Sequence, residues 1–540
     1  APRLRDACMN RTRCEVTASE SWGADHEVLL RWTCAHDQTA DGPGRGDGAA
    51  LPELPLRVQN GAIVDARGER FRLQGVNWAG GHIIGVPSGL DRAPIADLAR
   101  LVRSLGFNIV RMPYSVEVAL TNPVPDAAVV AANPGLRGLR ALDVMDTVVA
   151  ELGRAGVLVW LDVHMLESDW CCTTTDCNGL WFNQAYSMEH WLEALRTMAA
   201  RYAASPTVVG FGLKNEIRPV CGGLSWGKGA FCNISFYDPG LPADGCVAAA
   251  WSTGPEHLQL KRAAEAGGRA VLGAAKGKLV SFGGLDYSTS AENFTVDLPT
   301  ESFVFEAHEY SWAWWSNEVG DLLEGDIPAA EPELTERAAK RRCLALGDGC
   351  AGIVCSGADG RRCMLRARRR AGEAGQRSQR SVWLTHRKKR QQDFSDFEER
   401  LDEQWGFIAA AGVTPIWVSE FGFSHGDARN SHPWLARFGD YVRRREFDWA
   451  YWELSGDQVG GTGRRAGAGE GFGILNYCYT AAASAVHHDA VLAFSSAADR
   501  RRLATGAAVA SDDSVASSAA ARGPFAALLA LLAGYLTQSP

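Results

Sequence analysis

V-V-G-F-G-L-K-N-E-I-R-P, residues 208–219, is the stretch that decides the fold. It opens as a short apolar run spaced by glycines, which suits a strand buried on both faces, as in a parallel sheet covered by helices. The run stops at Lys214-Asn215-Glu216, and an α/β barrel places its chemistry at the C-terminal ends of such strands. A half-buried carboxyl there is desolvated, so we expect its pKa to rise and the group to donate protons near neutral pH. Taken alone, Glu216 fits a helix N-cap or a surface acid equally well.

A second stretch, P-I-W-V-S-E-F-G-F at residues 415–423, also ends an apolar run on a carboxylate, Glu420. Retaining glycoside hydrolysis requires two carboxyl groups, one as acid/base and one as nucleophile. We expect the two carboxyls to lie ~5 Å apart, because a wider gap admits a water molecule and inverts the product.

The remaining pattern alternates strands with helices. Asn60-Gly61 is a tight-turn pair between two short apolar runs and predicts a hairpin before the first barrel strand. The predicted barrel strands are Phe71–Trp78, Phe107–Arg111, Val157–Val163, the run from Val208, Lys278–Leu285, Phe303–Ala307, Thr414–Ser419 and Trp449–Trp452. The predicted helices are Ile95–Leu105, Leu139–Ala155, Met188–Ala204, Leu258–Ala275, Phe397–Ala411 and Leu435–Arg445. The sequence therefore predicts an α/β fold, a (β/α)8 TIM barrel with an N-terminal hairpin and a small disulfide-rich insert on the catalytic face. Because no standard glycine-rich phosphate loop follows a strand, a nucleotide site is disfavoured.

Composition limits the class of protein and its partners. The chain has 540 residues, a formal net charge of -8 and 14 cysteines. The charge gives no reason to expect nucleic acid, and no apolar run is long enough to span a bilayer. Cysteines grouped in loop-like segments, together with the sequons at Asn10, Asn233 and Asn293, predict a secreted protein with disulfides. The start at Ala1, without Met or a signal peptide, predicts a processed or truncated product. We expect a monomer.

We predict four regions. Residues 1–50 form an extension with three cysteines and a linker, 51–500 the barrel, 317–390 an insert within it, and 501–540 a low-complexity tail. In the extension, a zinc site is disfavoured because no ligand spacing supports it. The tail resembles a lipid-anchor signal only weakly, and a terminal helix or disorder fits better.

The insert contains Cys343, Cys350, Cys355 and Cys363, which predict a small two-disulfide unit. It precedes the helix at Phe397, so it lies in a strand-to-helix loop and emerges at the catalytic end. Carbohydrate contact is one interpretation of the insert, and a partly disordered decoration is the favoured one. Its basic run, residues 361–390, predicts a solvated face, with an anionic polysaccharide as the alternative.

The predicted strand ends carry eight polar or aromatic side chains: two carboxylates, a cation, two imidazoles, an amide, a phenol and an indole. Each has an ordinary explanation singly, as a core or hydrogen-bonding residue. Together they supply an aromatic face, hydroxyl-binding groups and acids, which is a complete site for a sugar. These candidate residues are Arg111, His164, Asn215, Glu216, His308, Tyr310, Glu420 and Trp452.

At this point the sequence resembles glycoside hydrolase family 5, a family of (β/α)8 retaining β-glycosidases. The matching pieces are R-M-P-Y, L-D-V-H, L-K-N-E, H-E-Y, V-S-E-F-G and W-A-Y-W-E, in that order, over most of residues 56–455. The resemblance implies roles for all eight residues: Glu216 is the acid/base and Glu420 the nucleophile; Asn215 holds the sugar 2-hydroxyl, Tyr310 orients the nucleophile and Trp452 stacks on the sugar; Arg111 keeps Glu420 ionised, while His164 and His308 support the acid/base and line the subsite.

The stretches G-L-D-Y-S at 284–288 and F-V-F-E-A-H-E-Y at 303–310 look most like plant- and alga-type members. The common N-E-P variant is N-E-I here, which weakens any transfer of substrate specificity. The resemblance implies an endo-β-1,4-glucanase acting on a β-linked oligo- or polysaccharide, with neither metal nor organic cofactor. Alternatives that stay open are a β-mannanase, a glycolipid glycosidase and a carbohydrate-binding protein without catalysis. A metal-dependent barrel hydrolase using the two histidines is disfavoured, because no H-x-H pair or dense carboxylate cluster is present.

Overall fold

The computed structural model describes residues 52–224, 231–291, 294–311, 315–319, 339, 352–356, 362–366, 383–388, 397–412, 414–429 and 433–496. The predicted N-terminal extension, the C-terminal tail, and Cys343 and Cys350 of the insert lie outside these ranges.

Eight parallel strands close into a barrel, in which the first strand pairs with both the second and the eighth. Every residue of all eight is buried, as expected for a parallel sheet covered by helices outside and side chains inside. The predicted TIM barrel is confirmed. In chain order the barrel strands are Gln74–Asn77, Ile109–Ser115, Leu158–Met165, Val208–Gly212, Leu279–Gly283, Phe303–Tyr310, Ile416–Gly422 and Asp448–Tyr451.

Amphipathic helices form the outer layer. The helix Ala141–Arg154, for example, buries Leu142, Met145, Val149 and Leu152 on one face, at the spacing of a single helical stripe. The longer helices are Ile95–Ser104, Ala141–Arg154, Met188–Tyr202, Leu260–Ala274, Pro433–Arg444 and Ala485–Leu492. Shorter helical segments are Val116–Thr121, Ile234–Tyr237, Leu285–Ser288, Phe397–Leu401, Phe407–Ala410 and His425–Arg429.

The predicted hairpin is present and closes the N-terminal end of the barrel. Its strands, Arg57–Gln59 and Ala62–Val64, pair antiparallel across Asn60 and Gly61, which both have positive φ angles of 51° and 69°. Such angles define the tight turn that an Asn-Gly pair favours. The hairpin's Val58 and Ile63 pack in one apolar cluster with residues at the starts of the barrel strands, among them Trp160 and Trp417.

Several barrel strands extend further toward the C-terminus than the sequence predicted. The second barrel strand continues to Ser115, the sixth to Tyr310 and the seventh to Gly422. The prediction stopped these strands at or just before the candidate site residues Arg111, His308 and Glu420. In the barrel these polar residues face partners inside, so the backbone pairing continues past them.

The predicted helix Phe397–Ala411 is interrupted by a π-helical turn at Asp402–Gly406. The insert also differs from the prediction, because it contains a four-stranded antiparallel sheet that no pattern had indicated. Its strands are Trp315–Val319, Gly352–Ser356, Arg362–Arg366 and Trp383–Lys388. Cys355 and Cys363 are directly opposite each other across two of them. The predicted disulfides of the insert stay a prediction.

Candidate active site

The eight predicted site residues converge at the C-terminal mouth of the barrel, and all are buried. They come from six strands: Arg111 from the second, His164 from the third, Asn215 and Glu216 after the fourth, His308 and Tyr310 from the sixth, Glu420 from the seventh and Trp452 after the eighth.

The carboxylates of the two predicted catalytic glutamates lie close together. Carboxylate oxygens of Glu216 and Glu420 and a ring nitrogen of His308 all lie within 4.8 Å of one another. Glu216 has a positive φ angle of 41°, an uncommon conformation for a residue other than glycine. This turn follows directly on the fourth strand. The two carboxylates are as close as double displacement requires, and closer than the separation at which an inverting enzyme accommodates a water molecule.

Two hydrogen-bond donors hold Glu420. The Tyr310 hydroxyl donates to Oε1 at 2.6 Å, and Nη1 of Arg111 donates to Oε2 at 3.1 Å. Burial nevertheless raises the pKa of Glu420 to about 7, with a further upward contribution from Glu216, against the lowering effects of His308, Arg111 and Tyr310. Arg111 lowers the pKa of Glu420, as the predicted role requires, but burial raises it by more.

His308 links Glu216 to the barrel interior. Its Nδ1 lies 3.0 Å from Oε1 of Glu216, and its Nε2 lies 3.0 Å from Oγ of Ser419. The Ser419 hydroxyl in turn donates to Oε2 of Glu306 at 2.8 Å, so its oxygen accepts from His308. Burial lowers the pKa of His308, but Glu420, Glu216 and Glu306 outweigh burial and raise it to about 9. His308 is thus a cation that donates from both ring nitrogens.

Arg111 lies beneath the site and is fully buried. Its Nη2 contacts Oδ1 of Asp162 at 3.0 Å and donates to Oδ1 of Asn215 at 2.9 Å. The carbonyl of Asn215 is thereby fixed toward the interior, and its amide NH2 points the other way. A buried cation among several acids needs these partners, because removal of one side of such a network leaves an uncompensated charge.

Sequence reasoning missed the inner layer that supports the predicted residues. Asp162 lies two positions before His164, and Glu306 lies two positions before His308. Side chains two apart on a strand share a face, so the period of the strand was the signal that could have found both. The same argument does not find Asn77, which donates to the backbone carbonyl of Ser419 at 2.9 Å.

An aromatic wall borders the glutamates. The Trp452 ring is stacked on His164, with ring centroids 5.3 Å apart and an interplanar angle of 9°. Trp170 contacts Trp452 edge-on, and the Arg464 guanidinium lies 3.9 Å above the centroid of the Trp170 ring. The prediction had found Trp452 but neither Trp170 nor Arg464, because these two belong to loops whose course no periodicity reveals. Aromatic faces of this kind stack on the apolar faces of sugar rings.

The two cysteine-rich loops beside the site are cross-linked. The disulfides are Cys171–Cys172, Cys177–Cys232 and Cys221–Cys246, and the second of them joins the two loops. The expectation of disulfides in these loops is confirmed. Asn233, the sequon within the second loop, caps a short helix by accepting from the backbone N–H of Ser235.

We expect Cys221→Ser/Cys246→Ser to lower the free energy of unfolding by about 3 kcal/mol and the Tm by about 4 °C, because the bond closes a loop of substantial length. Its cysteines are separated by 25 positions. Differential scanning calorimetry measures the change. The matched control is Cys171→Ser/Cys172→Ser, whose cysteines are adjacent and constrain little of the unfolded chain. Equal losses in the two variants would contradict this loop-length account.

Two groups of side chains in the described ranges have the spacing of metal ligands: Glu216, His308 and Glu420; and His164, Cys171 and Cys172. In the first, His308 donates from both nitrogens and offers no free lone pair. In the second, the sulfurs form a disulfide and are not thiolates. Neither group has the donor chemistry of a ready metal site.

No helix in the described part of the chain combines the length and the apolar character needed to cross a bilayer.

A family model described as cellulase (glycosyl hydrolase family 5) matches residues 64–348 of the chain. A glycosyl hydrolase 5 family protein of Chamaecyparis obtusa is 36% identical over 182 residues, which are 31% of this chain and 33% of that protein. The major extracellular endoglucanase of Xanthomonas campestris pv. campestris is 34% identical over 189 residues, 34% of this chain and 36% of that one. The chain thus matches about a third of the length of these curated relatives.

Solved structures share the fold. A hyperthermophilic endocellulase from Pyrococcus horikoshii superposes with a TM-score of 0.56 at 19% identity, covering 82% of this chain and 100% of that one. The catalytic domain of the major endoglucanase from Xanthomonas campestris pv. campestris gives 0.54 at 20% identity, covering 81% and 99%. At these identities the likeness supports the barrel and nothing finer.

Proposed function

The chain belongs to the cellulase family, glycosyl hydrolase family 5, and from that premise we propose that it hydrolyses β-glycosidic bonds with retention of configuration. The observation that carries the proposal is the approach of the Glu216 and Glu420 carboxylates to within 4.8 Å. At this separation one carboxylate reaches the anomeric carbon while the other reaches the glycosidic oxygen of the same bond.

In the first step an oxygen of Glu420 attacks the anomeric carbon, and Glu216 protonates the departing oxygen. In the second step Glu216 removes a proton from a water molecule whose oxygen attacks the anomeric carbon, and the bond between that carbon and Glu420 breaks. The pair therefore needs one proton between its two members. The mechanism requires this proton on Glu216, and Tyr310 and Arg111 support that arrangement by donating to the charged form of Glu420.

Around this pair, we assign Asn215 to the 2-hydroxyl of the sugar at the cleaved bond and Trp452 to its apolar face. The Asn215 carbonyl is occupied by Arg111, and its NH2, which lies 3.4 Å from Nε2 of His164, is the group that we assign to the hydroxyl. His164 stacks beneath Trp452 and His308 supports Glu216. Hydrogen bonds to the 2-hydroxyl that strengthen in the transition state contribute to catalysis in such sites.

The substrate we propose is a β-1,4-glucan cut at internal bonds. Support comes from relatives that are named endoglucanases, among them those of Xanthomonas campestris and Paenibacillus polymyxa. We further propose a secreted monomer whose barrel occupies residues 51–500, with the 317–390 insert as a subsidiary region. The disulfides of the site loops support an oxidising compartment.

A substrate panel tests the proposal. Purified protein is incubated with carboxymethyl cellulose, mixed-linkage β-glucan, galactomannan, xylan and glucosylceramide, and released ends and product lengths are measured. The proposal expects a rapid fall in the viscosity of carboxymethyl cellulose with oligosaccharide products of mixed length. Preferential release of sugars from galactomannan or from the glycolipid would change the proposed substrate but leave the proposed retaining hydrolysis in place. Binding to the glucans with no released ends would overturn catalysis itself.

The pH profile provides a further prediction. Since one proton must stay on the carboxylate pair, we expect kcat/KM to fall as the pH rises through about 7, where the second carboxylate ionises. Tyr310→Phe removes a donor to the charged form of Glu420, so the pKa of the pair rises. A hydrogen bond to a charged group contributes about 1.5–3 kcal/mol, which moves the alkaline limb upward by about 1 to 2 pH units.

The measurement is initial rates of cellotetraose hydrolysis from pH 4 to 10 for the wild type and Tyr310→Phe. Tyr441→Phe is the control, because its hydroxyl donates to Oδ1 of Asp402 rather than to either glutamate. An alkaline limb that stays in place in Tyr310→Phe would contradict the assignment of that limb to Glu420 and Glu216.

A further inference from the structure

The disulfide between the adjacent residues Cys171 and Cys172 is a feature that the mechanism above does not use. A bond between neighbours closes almost no loop, so loss of unfolded-chain entropy does not account for it. Both cysteines are partly exposed, and they follow directly after Trp170 of the aromatic wall. The disulfide therefore lies at the surface of the cleft and is within reach of small molecules.

The two sulfur atoms contact the side chains that we assign to the sugar. Sγ of Cys171 is 3.3 Å from Nε2 of His164, and the Asn215 amide NH2 lies 3.6 Å from Sγ of Cys172. The same NH2 is 3.4 Å from Nε2 of His164. One side of the Asn215 amide is thus fixed by Arg111, and the other lies against His164 and a sulfur atom.

His164 is a neutral acceptor in this arrangement. Its Nδ1 lies 2.8 Å from Oδ2 of Asp162, which orients the ring and places the proton on Nδ1. Burial, assisted by Arg111 and Lys214, lowers the pKa of His164 well below its ordinary value. A disulfide sulfur carries no hydrogen. Nε2 of His164 consequently has the Asn215 amide, and no thiol, as its donor.

We propose that the Cys171–Cys172 disulfide positions the side chains of the sugar site, so that its reduction by a dithiol lowers the activity of the enzyme. The same reduction creates a binding site for thiophilic metals and trivalent arsenicals. The positioning part rests on the proposed function. The binding part rests on the geometry of His164, Cys171 and Cys172 alone.

The reduction is a thiol–disulfide exchange. A thiolate of dithiothreitol attacks one sulfur and forms a mixed disulfide, and the second thiolate of the reagent then displaces the protein sulfur. The reagent leaves as its cyclic disulfide, having supplied two electrons, and Cys171 and Cys172 each end with one proton. The thiol of Cys171 then lies where it donates to Nε2 of His164, in competition with the Asn215 amide.

The reduced state assembles a soft ligand set. The two sulfurs and the His164 ring nitrogen lie within 4.8 Å of one another. Two thiolates and an imidazole suit thiophilic metals, and a pair of neighbouring thiols is the partner that a trivalent arsenical bridges. Neither reagent finds a ligand while the disulfide is intact.

The experiment uses the full chain in three forms: wild type, Cys171→Ser/Cys172→Ser, and the control Cys221→Ser/Cys246→Ser, whose disulfide lies outside the proposed machinery. Each is treated with dithiothreitol under native conditions, then with phenylarsine oxide, and the arsenic adduct is located by mass spectrometry of peptides. We expect one adduct on the 171–172 peptide in the wild type and the control, and none there in the first variant.

Activity gives the positioning readout. We expect dithiothreitol to lower kcat/KM of the wild type by about tenfold to hundredfold, mainly through kcat, because misplacement of a positioning group by a fraction of its contact distance has effects of this size. Reoxidation restores the rate, and phenylarsine oxide prevents the restoration. The Cys171→Ser/Cys172→Ser variant is slow from the start and does not respond to either reagent.

A substrate that lacks the 2-hydroxyl distinguishes a loss of Asn215 positioning from a general disturbance of the structure. With 2-deoxy aryl β-glycosides, we expect the difference between the wild type and Cys171→Ser/Cys172→Ser to shrink to less than threefold, because Asn215 then has no hydroxyl to hold. Unchanged kcat/KM of the reduced wild type on cellotetraose would overturn the positioning part. An intact active wild type that takes up no arsenical on the 171–172 peptide after reduction would overturn the binding part. A wild type that cleaves no β-glycan would instead refute the proposed function and leave the arsenical result to stand on its own.

Discussion

Glu420→Ala lowers kcat on cellotetraose by about 10⁴-fold or more, because the residue that would form the covalent bond to the sugar is gone and no neighbour replaces it. Tyr310 and Arg111 both point at the missing carboxylate, so they remain in place around an empty position. The protein should stay folded, since removal of one of several acids leaves Arg111 with Asp162 and Glu306 as partners. Initial rates and a melting curve measure the two effects.

Azide identifies the role of Glu420. The anion fits the space that the substitution opens and attacks the anomeric carbon from the same side as the lost carboxylate. With an activated aryl β-cellobioside, Glu420→Ala should therefore give the α-glycosyl azide. A β-configured azide from this variant would assign Glu420 to the acid/base position and reverse the proposed mechanism.

Glu216→Ala lowers kcat on cellotetraose by about 10²- to 10⁴-fold, the usual contribution of a positioned general acid. On an aryl glycoside with a good leaving group, the first step needs no protonation and the sugar accumulates on Glu420. A burst of released phenol followed by slow turnover is the expected result, and azide should accelerate turnover and give the β-glycosyl azide. Equal losses on both substrates would contradict the acid role of Glu216.

Glu309→Gln is the matched control for both glutamates. Glu309 lies between His308 and Tyr310 on the sixth barrel strand, so its side chain points to the opposite face. Its Oε1 accepts from Trp434 on an outer helix at 3.4 Å. Glutamine keeps that acceptor. We expect activity within about threefold of the wild type, since the change is as buried as the other two but faces away from the mouth.

The barrel and the convergence of the site were predictable because both follow from local patterns. Apolar runs ending on Asn215-Glu216 and on Glu420 place these residues at one end of parallel strands, and closure of the barrel brings them together. The inner layer was also accessible in principle, since Asp162 and Glu306 share strand faces with His164 and His308. Both lie inside predicted strands, but the prediction considered only the side chains at the strand ends.

Other features were not accessible from a single sequence. The Arg464–Trp170 stack joins two loops far apart along the chain, and no period connects them. The pairing of Cys177 with Cys232 was one of many possibilities for 14 cysteines. The net direction of the pKa of Glu420 depends on the balance between burial and Glu216, which raise it, and His308, Arg111 and Tyr310, which lower it, so it requires distances rather than residue types.

The hairpin of Arg57–Gln59 and Ala62–Val64 lies at the end of the barrel opposite to the active site. Its Val58 and Ile63 pack against Trp160 and Trp417 at the N-terminal end of the barrel, whereas the two glutamates lie at the C-terminal end. Directed evolution for heat tolerance can therefore randomise positions at the N-terminal end without changing the active site. Libraries for activity on new polysaccharides can alter the loops at the C-terminal end while the N-terminal end continues to stabilise the barrel. The two optimisations can proceed in parallel and be recombined afterwards, because distant substitutions combine nearly additively.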